Sequence, residues 1–461
     1  MKRVKFWQPV VERFNKKLSK WKAKNLSFAG RVTLAKAVLG SLPSYYLSLF
    51  AAPKAIISKL EKIRRDFLWG KAGSGHKLRW VRWELVTRPK KMGGIGLGGI
   101  KEFNLAMLSK WWWRIREEPR QLWAEVISAI HKTKNNNLLI PLKKTIVGTW
   151  KDISSMEVEF LKYGVNIQEK LKVKVGNGNK TRFWKDVWLE QQPLKDVYPE
   201  LYRMAKDKDC TIASCLVGFR SNNQWGWEWI KAPSTTGEWE HLGNLMDRLT
   251  AHELNGSRDE WTWSNSFGEK FSVKSIRMEL MAGRPSSQQV TCSFVWNVWA
   301  PPKCNMLVWR ALMGKIASKK GLVDRGVALP DTVCPRCGIS EEDANHIFAN
   351  CLWTRSLWWN IFVWMKLKPP DSFNSLKDII EDLMKCPGSK TWRRLVYTIA
   401  TATTWRIWIA RNSKIFDDAF IPIQKTMEMI KEDVFFWVCN RASIPSPRWE
   451  NWVNFDVADI V

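Results

Sequence analysis

Apolar residues recur at intervals of three and four along the first hundred residues, a pattern that predicts amphipathic helices. Serine and proline residues lie where such helices would begin or end. The three predicted helices cover residues 2–24, the segment between Ser27 and Pro43, and the segment that begins near Pro53.

The third of these helices separates apolar from basic positions. Its apolar residues repeat at helical spacing from Ile56 to Phe67, so this side is expected to be buried. The basic residues between them are expected to face solvent, either as an ordinary hydrated surface or in contact with phosphate groups. These residues are Lys59, Lys62, Arg64 and Arg65.

A short strand is predicted from Trp80 to Val86, and a glycine-rich stretch follows at residues 94–99. This stretch matches G-x-G-x-x-G, the sequence motif of a dinucleotide-binding loop. That fold requires a buried strand directly before the glycines and an acidic residue closing a second strand. Residues 88–91, Arg-Pro-Lys-Lys, intervene instead. A glycine-rich turn before an amphipathic helix is therefore the better interpretation.

Two β-hairpins are predicted in the middle of the chain. The first spans Val173 to Trp184 and turns at Asn177-Gly178, because apolar residues alternate on both arms. The second joins residues 261–263 to residues 271–273. A helix is expected to follow from Ser275 to Met281.

The second half of the chain is predicted to be largely helical, with the longest helix from about Lys390 to Asn412 and another from Ile423 to Cys439. The expected fold is therefore mainly α with small β-hairpins, in the α+β class. Four regions are expected: a basic helical region at 1–131, a linker and hairpin region at 132–260, a metal-bearing module at 261–360 and a helical region at 361–461.

The net charge of the chain suggests a type of binding partner. The net charge is +30, and residues 1–100 hold 23 Lys and Arg residues against four Asp and Glu residues. Such an imbalance favours a polyanion, here RNA or DNA bound through its phosphates without sequence specificity. The candidate contacts are Lys59, Lys62, Arg64, Arg65, Lys77 and Arg79. Neither a membrane partner nor a small-molecule substrate is expected.

Cysteine usage points to a reducing compartment. The nine cysteines are an odd number, and no secretory signal follows Met1. We therefore expect an intracellular protein, in the nucleus or the cytoplasm, without a disulfide framework. The chain also contains 31 Trp residues, many of which are expected in the core because exposing them all would cause aggregation.

One stretch gathers metal-ligating side chains within eighteen residues. Cys334, Cys337, His346 and Cys351 follow the pattern C-x2-C-x8-H-x4-C. Three thiolates and an imidazole form a donor set that Zn²⁺ prefers in a tetrahedron, and Gly338 allows the backbone to reverse after the first pair. Ordinary packed or reactive cysteines are the alternative. Four protein ligands leave no open position, so the expected zinc is structural.

The spacing of the last two ligands imposes a condition on the backbone. Asp343 or Asn345 is placed to start a short helix that carries His346. Cys351 is five residues further on, so the helix must end or bend before Cys351 for both side chains to point inward.

Catalytic patterns are not apparent. Phe416-Asp417-Asp418 is close to the aromatic-x-Asp-Asp turn of reverse transcriptases, but it lacks the intervening residue and follows a helix directly. No G-x-S-x-G, H-E-x-x-H or P-loop spelling is present. A polymerase or a nuclease active site is therefore not expected.

Several stretches together resemble the part that follows the polymerase core in plant LINE-type (non-LTR) retrotransposon reverse transcriptases, including the reverse transcriptase zinc-binding domain. The resemblance runs in order through nearly the whole chain. The matching stretches are Leu26–Leu34, Leu42–Tyr46, Ile63–Gly70, Lys91–Gly96, Gly176–Gly178, Phe183–Trp188, Phe271–Ser275, Trp299–Lys303, Trp405–Trp408 and Ala410–Asn412.

The resemblance implies a zinc site at Cys334, Cys337, His346 and Cys351 and contact with element RNA or target DNA. The fingers and palm that hold the catalytic aspartates in this family would precede residue 1, and a ribonuclease H domain sometimes follows. Neither is recognised in this chain. The expected protein is a zinc-binding, nucleic-acid-binding portion without enzymatic activity, and a structural or protein-interaction zinc module is the alternative.

Overall fold

The computed structural model describes residues 4–19, 25–41, 43–70, 78–131, 140–143, 145–217, 224–250, 256–264, 271–284 and 294–457. These residues are mostly helical, with short antiparallel strand pairs, which confirms the predicted fold class. None of the helices in these ranges combines the length and the apolarity needed to cross a bilayer.

The chain divides into two compact units, each made of segments that are distant in sequence. The first unit contains Met1–Lys17, Val38–Lys62 and Gly98–Gln289, and the second contains Leu18–Ala37, Ile63–Leu97 and Val290–Val461. The four regions expected from the sequence remain a prediction about domain boundaries.

The second and third predicted N-terminal helices agree with the structure, whereas the first, predicted over residues 2–24, is an α-helix only from Gln8 to Lys17 within the described part of that range. Ser27 caps its helix through its hydroxyl, which accepts a hydrogen bond from the Gly30 amide at 3.2 Å. The helices of the first 131 residues are Val4–Trp7 (3₁₀), Gln8–Lys17, Phe28–Ser41, Ser44–Leu49, Lys54–Trp69, Trp83–Thr87, Lys90–Met92 (3₁₀), Ile100–Glu117 and Leu122–His131. Because Trp83–Thr87 is a helix, the prediction of a strand from Trp80 to Val86 is wrong. The apolar residues of this segment contact the core without following a period of two.

The middle of the chain contains short helices and two strand pairs. The helices are Thr149–Ser154, Glu157–Leu161, Ile167–Lys170, Leu194–Val197, Pro199–Met204, Ala213–Cys215 (3₁₀), Thr236–Thr250 and Val273–Ala282. The strands are Leu171–Lys174 with Glu260–Trp263, and Leu216–Val217 with Gln224–Trp225.

Both predicted hairpins are wrong. Leu171–Lys174 pairs with Glu260–Trp263, in the register Val173 opposite Trp261, instead of with the residues after Asn177-Gly178. The strand Glu260–Trp263 thereby has its partner far back in the sequence, and Val273 already begins a helix. The proposed second turn, at residues 266–268, lies outside the described residues.

Residues 176–181, which we call the glycine loop, are organised by one distant carboxylate instead of a hairpin turn. Asp259 accepts hydrogen bonds from the amides of Gly176 (2.9 Å), Gly178 (2.9 Å) and Lys180 (3.0 Å) and from the Thr181 hydroxyl (2.9 Å). Burial opposes ionisation of Asp259, but these hydrogen bonds outweigh it, so its pKa lies below the ordinary value.

Aromatic side chains fill the core of the first unit. Trp112, Phe183, Trp184 and Trp263 are almost fully buried, and Phe183 and Trp184 meet edge to face at 4.9 Å. This confirms the expectation that many of the Trp residues serve as core.

The second unit is built mainly from helices of the C-terminal part of the chain. Its core contains Trp309, Phe348, Trp358 and Ile399, all buried. Ser389 caps the longest helix by accepting a hydrogen bond from the Trp392 amide. The helices after residue 300 are Pro302–Leu312, Lys319–Val323, His346–Asn350 (π), Leu352–Trp364, Leu376–Lys385, Lys390–Phe416, Ile423–Arg441 and Trp449–Val453.

Candidate metal centre

The first two candidate ligands lie on a tight backbone reversal in the second unit. The Cys334 amide donates to the Ser340 carbonyl at 2.9 Å, and the Gly338 amide donates to the Cys334 carbonyl at 2.9 Å. Gly338 has a φ of 63°, a left-handed conformation that glycine adopts without a steric cost. The reversal brings the Cys334 and Cys337 side chains to the same side, as the C-x-x-C spacing predicts.

The other two ligands lie at the two ends of a single π-helical turn, His346–Asn350. The Cys351 amide donates to the His346 carbonyl at 2.9 Å, a bond that spans five residues instead of four. Cys351 itself is extended, with φ −59° and ψ 134°, and the helix Leu352–Trp364 begins after it. The expected end of the helix before Cys351 is thus confirmed, and the wider turn supplies the alignment.

The four side chains converge on one point. The Sγ atoms of Cys334, Cys337 and Cys351 and a ring nitrogen of His346 all lie within 4.8 Å of one another. The Cys337 Sγ and the His346 Nε2 are 3.3 Å apart. Tetrahedral zinc with bonds of about 2.0–2.3 Å places its ligand atoms roughly 3.5–3.8 Å apart. Small movements would accommodate the ion, with Cys337 and His346 separating slightly and the more distant ligand atoms approaching one another.

The chemistry of the donor set also fits zinc. Three thiolates and one imidazole complete four-coordination and leave no site for water or substrate, which is the arrangement of structural zinc. Cys334, His346 and Cys351 are buried, and Cys337 is half-buried. We therefore assign the cluster as a structural zinc site, in which the ion would hold the two backbone turns together.

Two of the thiols already interact through a hydrogen bond. This bond lowers the pKa of Cys351 to about 7 and raises the pKa of Cys334 above its ordinary value, with burial adding to the effect on Cys334. The Cys351 thiolate is therefore more populated at neutral pH than that of an ordinary cysteine, and the metal would displace the remaining thiol protons.

Arg336, between the first two ligands in the sequence, interacts electrostatically with Cys351 and Cys334. Its guanidinium carbon is 3.3 Å from the centre of the Trp353 ring, and its Nη2 donates to the Ile421 carbonyl at 3.2 Å. Burial lowers the pKa of Arg336 to about 10, while Cys351 and Cys334 act in the opposite direction. Three thiolates and one Zn²⁺ carry a net charge of −1, which this cation offsets.

A buried ion pair attaches the metal segment, residues 334–351, to the longest helix. The Glu342 carboxylate is fully buried and accepts hydrogen bonds from Arg411 Nε (3.0 Å) and Nη2. It also accepts a hydrogen bond from the Lys319 amide at 2.9 Å. Neither Glu342 nor Arg411 was predicted as a functional residue. Their importance follows from the burial of two charged side chains against each other. A single sequence does not show which charged residues are buried together.

Comparison with known proteins covers this segment. Residues 271–358 match the family model described as zinc-binding in reverse transcriptase. All four ligands lie within that match. The chain therefore contains a reverse transcriptase zinc-binding segment, as the sequence predicted, and the donor geometry described above supports the same ion.

Two curated relatives come from Arabidopsis thaliana. A putative ribonuclease H protein is 29% identical over 358 residues, which is 76% of this chain and 54% of that protein. An uncharacterised mitochondrial protein is 26% identical over 156 residues, 33% of this chain and 97% of that protein. The chain thus spans about half the length of the first relative. Both relatives are plant proteins, in agreement with the plant retrotransposon resemblance.

The candidate phosphate contacts fall into different environments. Lys59, Lys62 and Arg79 are exposed, and Arg65 is half-buried with its guanidinium 5.9 Å from the Trp83 ring centre. Lys77 lies outside the described residues. A role in binding nucleic acid remains a prediction for these residues.

The expectation that Arg64 faces solvent is wrong. Arg64 is fully buried, and its Nη2 donates to the Leu97 carbonyl at 3.0 Å. The helical period offered a signal, because Arg64 follows the buried residues Ile56 and Leu60 at steps of four and lies on the same face. Its guanidinium therefore supports the glycine-rich turn.

Proposed function

We propose that this chain is a zinc-stabilised module that binds RNA or DNA through its phosphates and has no polymerase or ribonuclease H activity of its own. The observation that supports it most is the Cys3His cluster inside a segment that matches the reverse transcriptase zinc-binding family. A net charge of +30 and exposed cations such as Lys59, Lys62 and Arg79 supply the electrostatic attraction.

Filter binding of a single-stranded RNA of mixed sequence tests the nucleic-acid part of this proposal. Binding through phosphates releases condensed counterions, so we expect the affinity to fall by about tenfold or more between 50 and 200 mM salt. Scrambling the RNA sequence is expected to change the affinity by less than about threefold. An affinity that does not respond to salt would contradict the proposal.

A protein-interaction module is the second candidate, and one surface favours it. The helix Leu352–Trp364 exposes an apolar stripe at Leu352, Trp359 and Val363, whose exposed fractions are 58%, 55% and 58%. Stoichiometric zinc together with no detectable RNA or DNA binding at low salt would favour this candidate over the first.

The absence of catalysis is a separate part of the proposal. Primer extension on an RNA template with Mg²⁺ or Mn²⁺, and degradation of an RNA–DNA hybrid, are both expected to give background rates. Template-dependent synthesis by the purified chain would overturn this part.

A further inference from the structure

Two arginines and a tryptophan form a cluster in the second unit. The Arg325 guanidinium carbon lies 4.3 Å from the centre of the Trp80 ring, and the Arg310 guanidinium carbon lies 5.6 Å from it. Arg310 also lies 5.7 Å from the Phe28 ring. Trp80, Arg310 and Arg325 are all half-buried, so the cluster is open to solvent on part of its surface.

The backbone fixes one edge of each guanidinium. Arg310, in the last turn of Pro302–Leu312, donates from Nε to the Lys315 carbonyl at 2.9 Å. Arg325 donates from Nη1 to the Gly321 carbonyl at 2.7 Å. Each group has five N–H donors, so several remain available on the same side chains. The contacts with the aromatic rings and the single backbone hydrogen bond hold these donors in place, which lowers the entropic cost of binding a ligand.

The charges of this cluster are not neutralised within the part of the chain that the structure describes. Neither Arg310 nor Arg325 is ion-paired with a carboxylate there, and the exposed Asp324, next to Arg325 in the chain, is not paired with it. Burial lowers the pKa of Arg310 to about 10, and the positive charge of Arg325 adds to this shift. Two half-buried cations around one aromatic ring create a site that an anion would stabilise.

We infer that Arg310, Arg325 and Trp80 form a binding site for the phosphodiester group of a single-stranded nucleic acid. This inference rests on the proposed function, and it assigns one site at which the chain binds nucleic acid. Planar guanidinium groups match phosphate oxygens in bidentate geometry. Trp80 positions both cations, and the exposed Arg79 precedes it in the chain.

Hydrogen bonds connect this site to the metal segment. The Lys320 amide donates to the Glu342 carbonyl at 3.1 Å, and the Lys319 amide donates to the Glu342 carboxylate at 2.9 Å. Both lysines belong to the short helix Lys319–Val323, which ends just before Arg325. Metal binding would therefore keep Arg325 in position against Trp80 without contacting the ligand itself.

The test compares Arg325→Gln and Arg310→Gln with a matched control in the full chain. Arg393, exposed on the helix Lys390–Phe416, provides the control, because Arg393→Gln removes the same charge elsewhere in the second unit. The probe is a fluorescein-labelled 20-residue oligo(dT), measured by anisotropy between 50 and 300 mM salt. We expect each cluster variant to raise Kd about tenfold and to reduce the salt slope by about one. The Arg393→Gln variant is expected to change Kd less than about twofold.

Two further measurements separate binding from folding and from other ligands. Arg325→Lys keeps the charge but loses the bidentate geometry, so it is expected to restore only part of the affinity. Equal Kd values for Arg325→Gln, Arg310→Gln and Arg393→Gln, with all three folded by circular dichroism, would overturn the site. Displacement of oligo(dT) by polyglutamate at equal charge concentration would also overturn it, because it would indicate an acidic protein partner.

Failure of the site and failure of the proposed function give different results. Wild-type chain that binds oligo(dT) with no effect of the cluster variants leaves the function in place and rejects the site. If the wild-type chain does not bind oligo(dT), calorimetry with inorganic pyrophosphate decides the matter. Pyrophosphate binding that Arg310→Gln abolishes would retain the anion site and reject the nucleic-acid function, and no binding would reject both.

Discussion

The metal segment and the glycine loop are both short, irregular stretches, but they are organised around central groups of opposite charge. In the metal segment, thiol and imidazole groups converge on a point suited to a cation. In the glycine loop, three amides and a hydroxyl converge on the carboxylate of Asp259. The central charge of the glycine loop is the Asp259 side chain of the same protein, whereas the metal segment must acquire its central charge by binding an ion. The stability of the metal segment therefore depends on the supply of metal ions, and that of the glycine loop does not.

The largest expected loss of stability in either segment follows removal of a metal ligand. Cys334→Ser is expected to reduce bound zinc from about one per chain to near zero and to destabilise residues near 330–355 by at least about 5 kcal/mol, since zinc supplies much of the folding free energy of small metal-bound segments. Metal analysis by mass spectrometry and hydrogen–deuterium exchange measure the two effects. Cys439→Ser, at a half-buried cysteine outside the cluster, serves as the control. Equal zinc in the Cys334→Ser variant and the wild type would reject the ligand assignment.

The next effect concerns the ion pair that attaches the metal segment to the helix Lys390–Phe416. Glu342→Gln leaves the buried Arg411 guanidinium without a counter-charge, and we expect a loss of about 3–5 kcal/mol in urea unfolding with zinc present. The neighbouring Glu341 is exposed and pairs with Lys320 at 2.8 Å. Glu341→Gln is expected to cost less than about 1 kcal/mol. Similar losses of unfolding free energy for Glu342→Gln and Glu341→Gln would show that burial of the Glu342–Arg411 pair does not increase its contribution to stability.

Removing the central charge of the glycine loop is expected to have a smaller effect. Asp259→Asn replaces one acceptor oxygen with a donor that faces the loop amides, at an expected cost of about 2–3 kcal/mol at pH 7. The adjacent Glu260 is exposed, so Glu260→Gln is the control and is expected to be neutral within about 0.5 kcal/mol.

The pH dependence of the Asp259 contribution has a definite sign. The pKa of Asp259 is lowered in the folded chain, so the carboxylate stabilises the fold above its unfolded pKa of about 3.9. The difference in unfolding free energy between wild type and Asp259→Asn should therefore be constant near neutral pH and shrink as the pH falls below about 4. A difference that shrinks already between pH 7 and pH 5 would contradict this assignment.

The smallest contrast compares one glycine from each segment. Gly178 and Gly338 both have left-handed backbone, with φ of 68° and 63°. A Cβ at Gly178 would lie 2.8 Å from Ile212 side-chain atoms, whereas a Cβ at Gly338 would meet nothing within 4 Å. We expect Gly338→Ala to cost about 1 kcal/mol from backbone strain alone and Gly178→Ala to cost about 1–2 kcal/mol more. Thermal unfolding of both variants with zinc present measures the difference, and equal losses would refute it.

The same two segments show what the sequence could predict. All four metal ligands lie within eighteen residues, so their spacing alone was enough to identify them. Asp259 is about eighty residues from the loop it organises, and the local Asn177-Gly178 pattern, which favours a hairpin turn, gave the wrong strand partner. Pairing between distant strands depends on tertiary packing, and a single sequence carries little information about it.

Helices were predicted well where apolar periodicity was long, as in Lys390–Phe416 and Ile423–Arg441. The error at Arg64 has a different cause, because residue type was given more weight than position on the helix. A long cationic side chain is usually exposed, but here a backbone carbonyl accepts its hydrogen bond in the interior. The Glu342–Arg411 pair joins residues 69 positions apart, so it also required the fold.

Because of the π-helical turn between His346 and Cys351, this segment is not expected to tolerate the insertion or deletion of a residue. Deleting one residue there would restore an ordinary four-residue repeat and swing Cys351 about 100° around the helix axis, away from the other sulfurs. Adding one residue would rotate Cys351 around the helix axis in the opposite direction, again away from the other sulfurs. Natural or engineered single-codon insertions and deletions are therefore expected to be excluded from residues 347–350, even where substitutions of the same side chains are accepted.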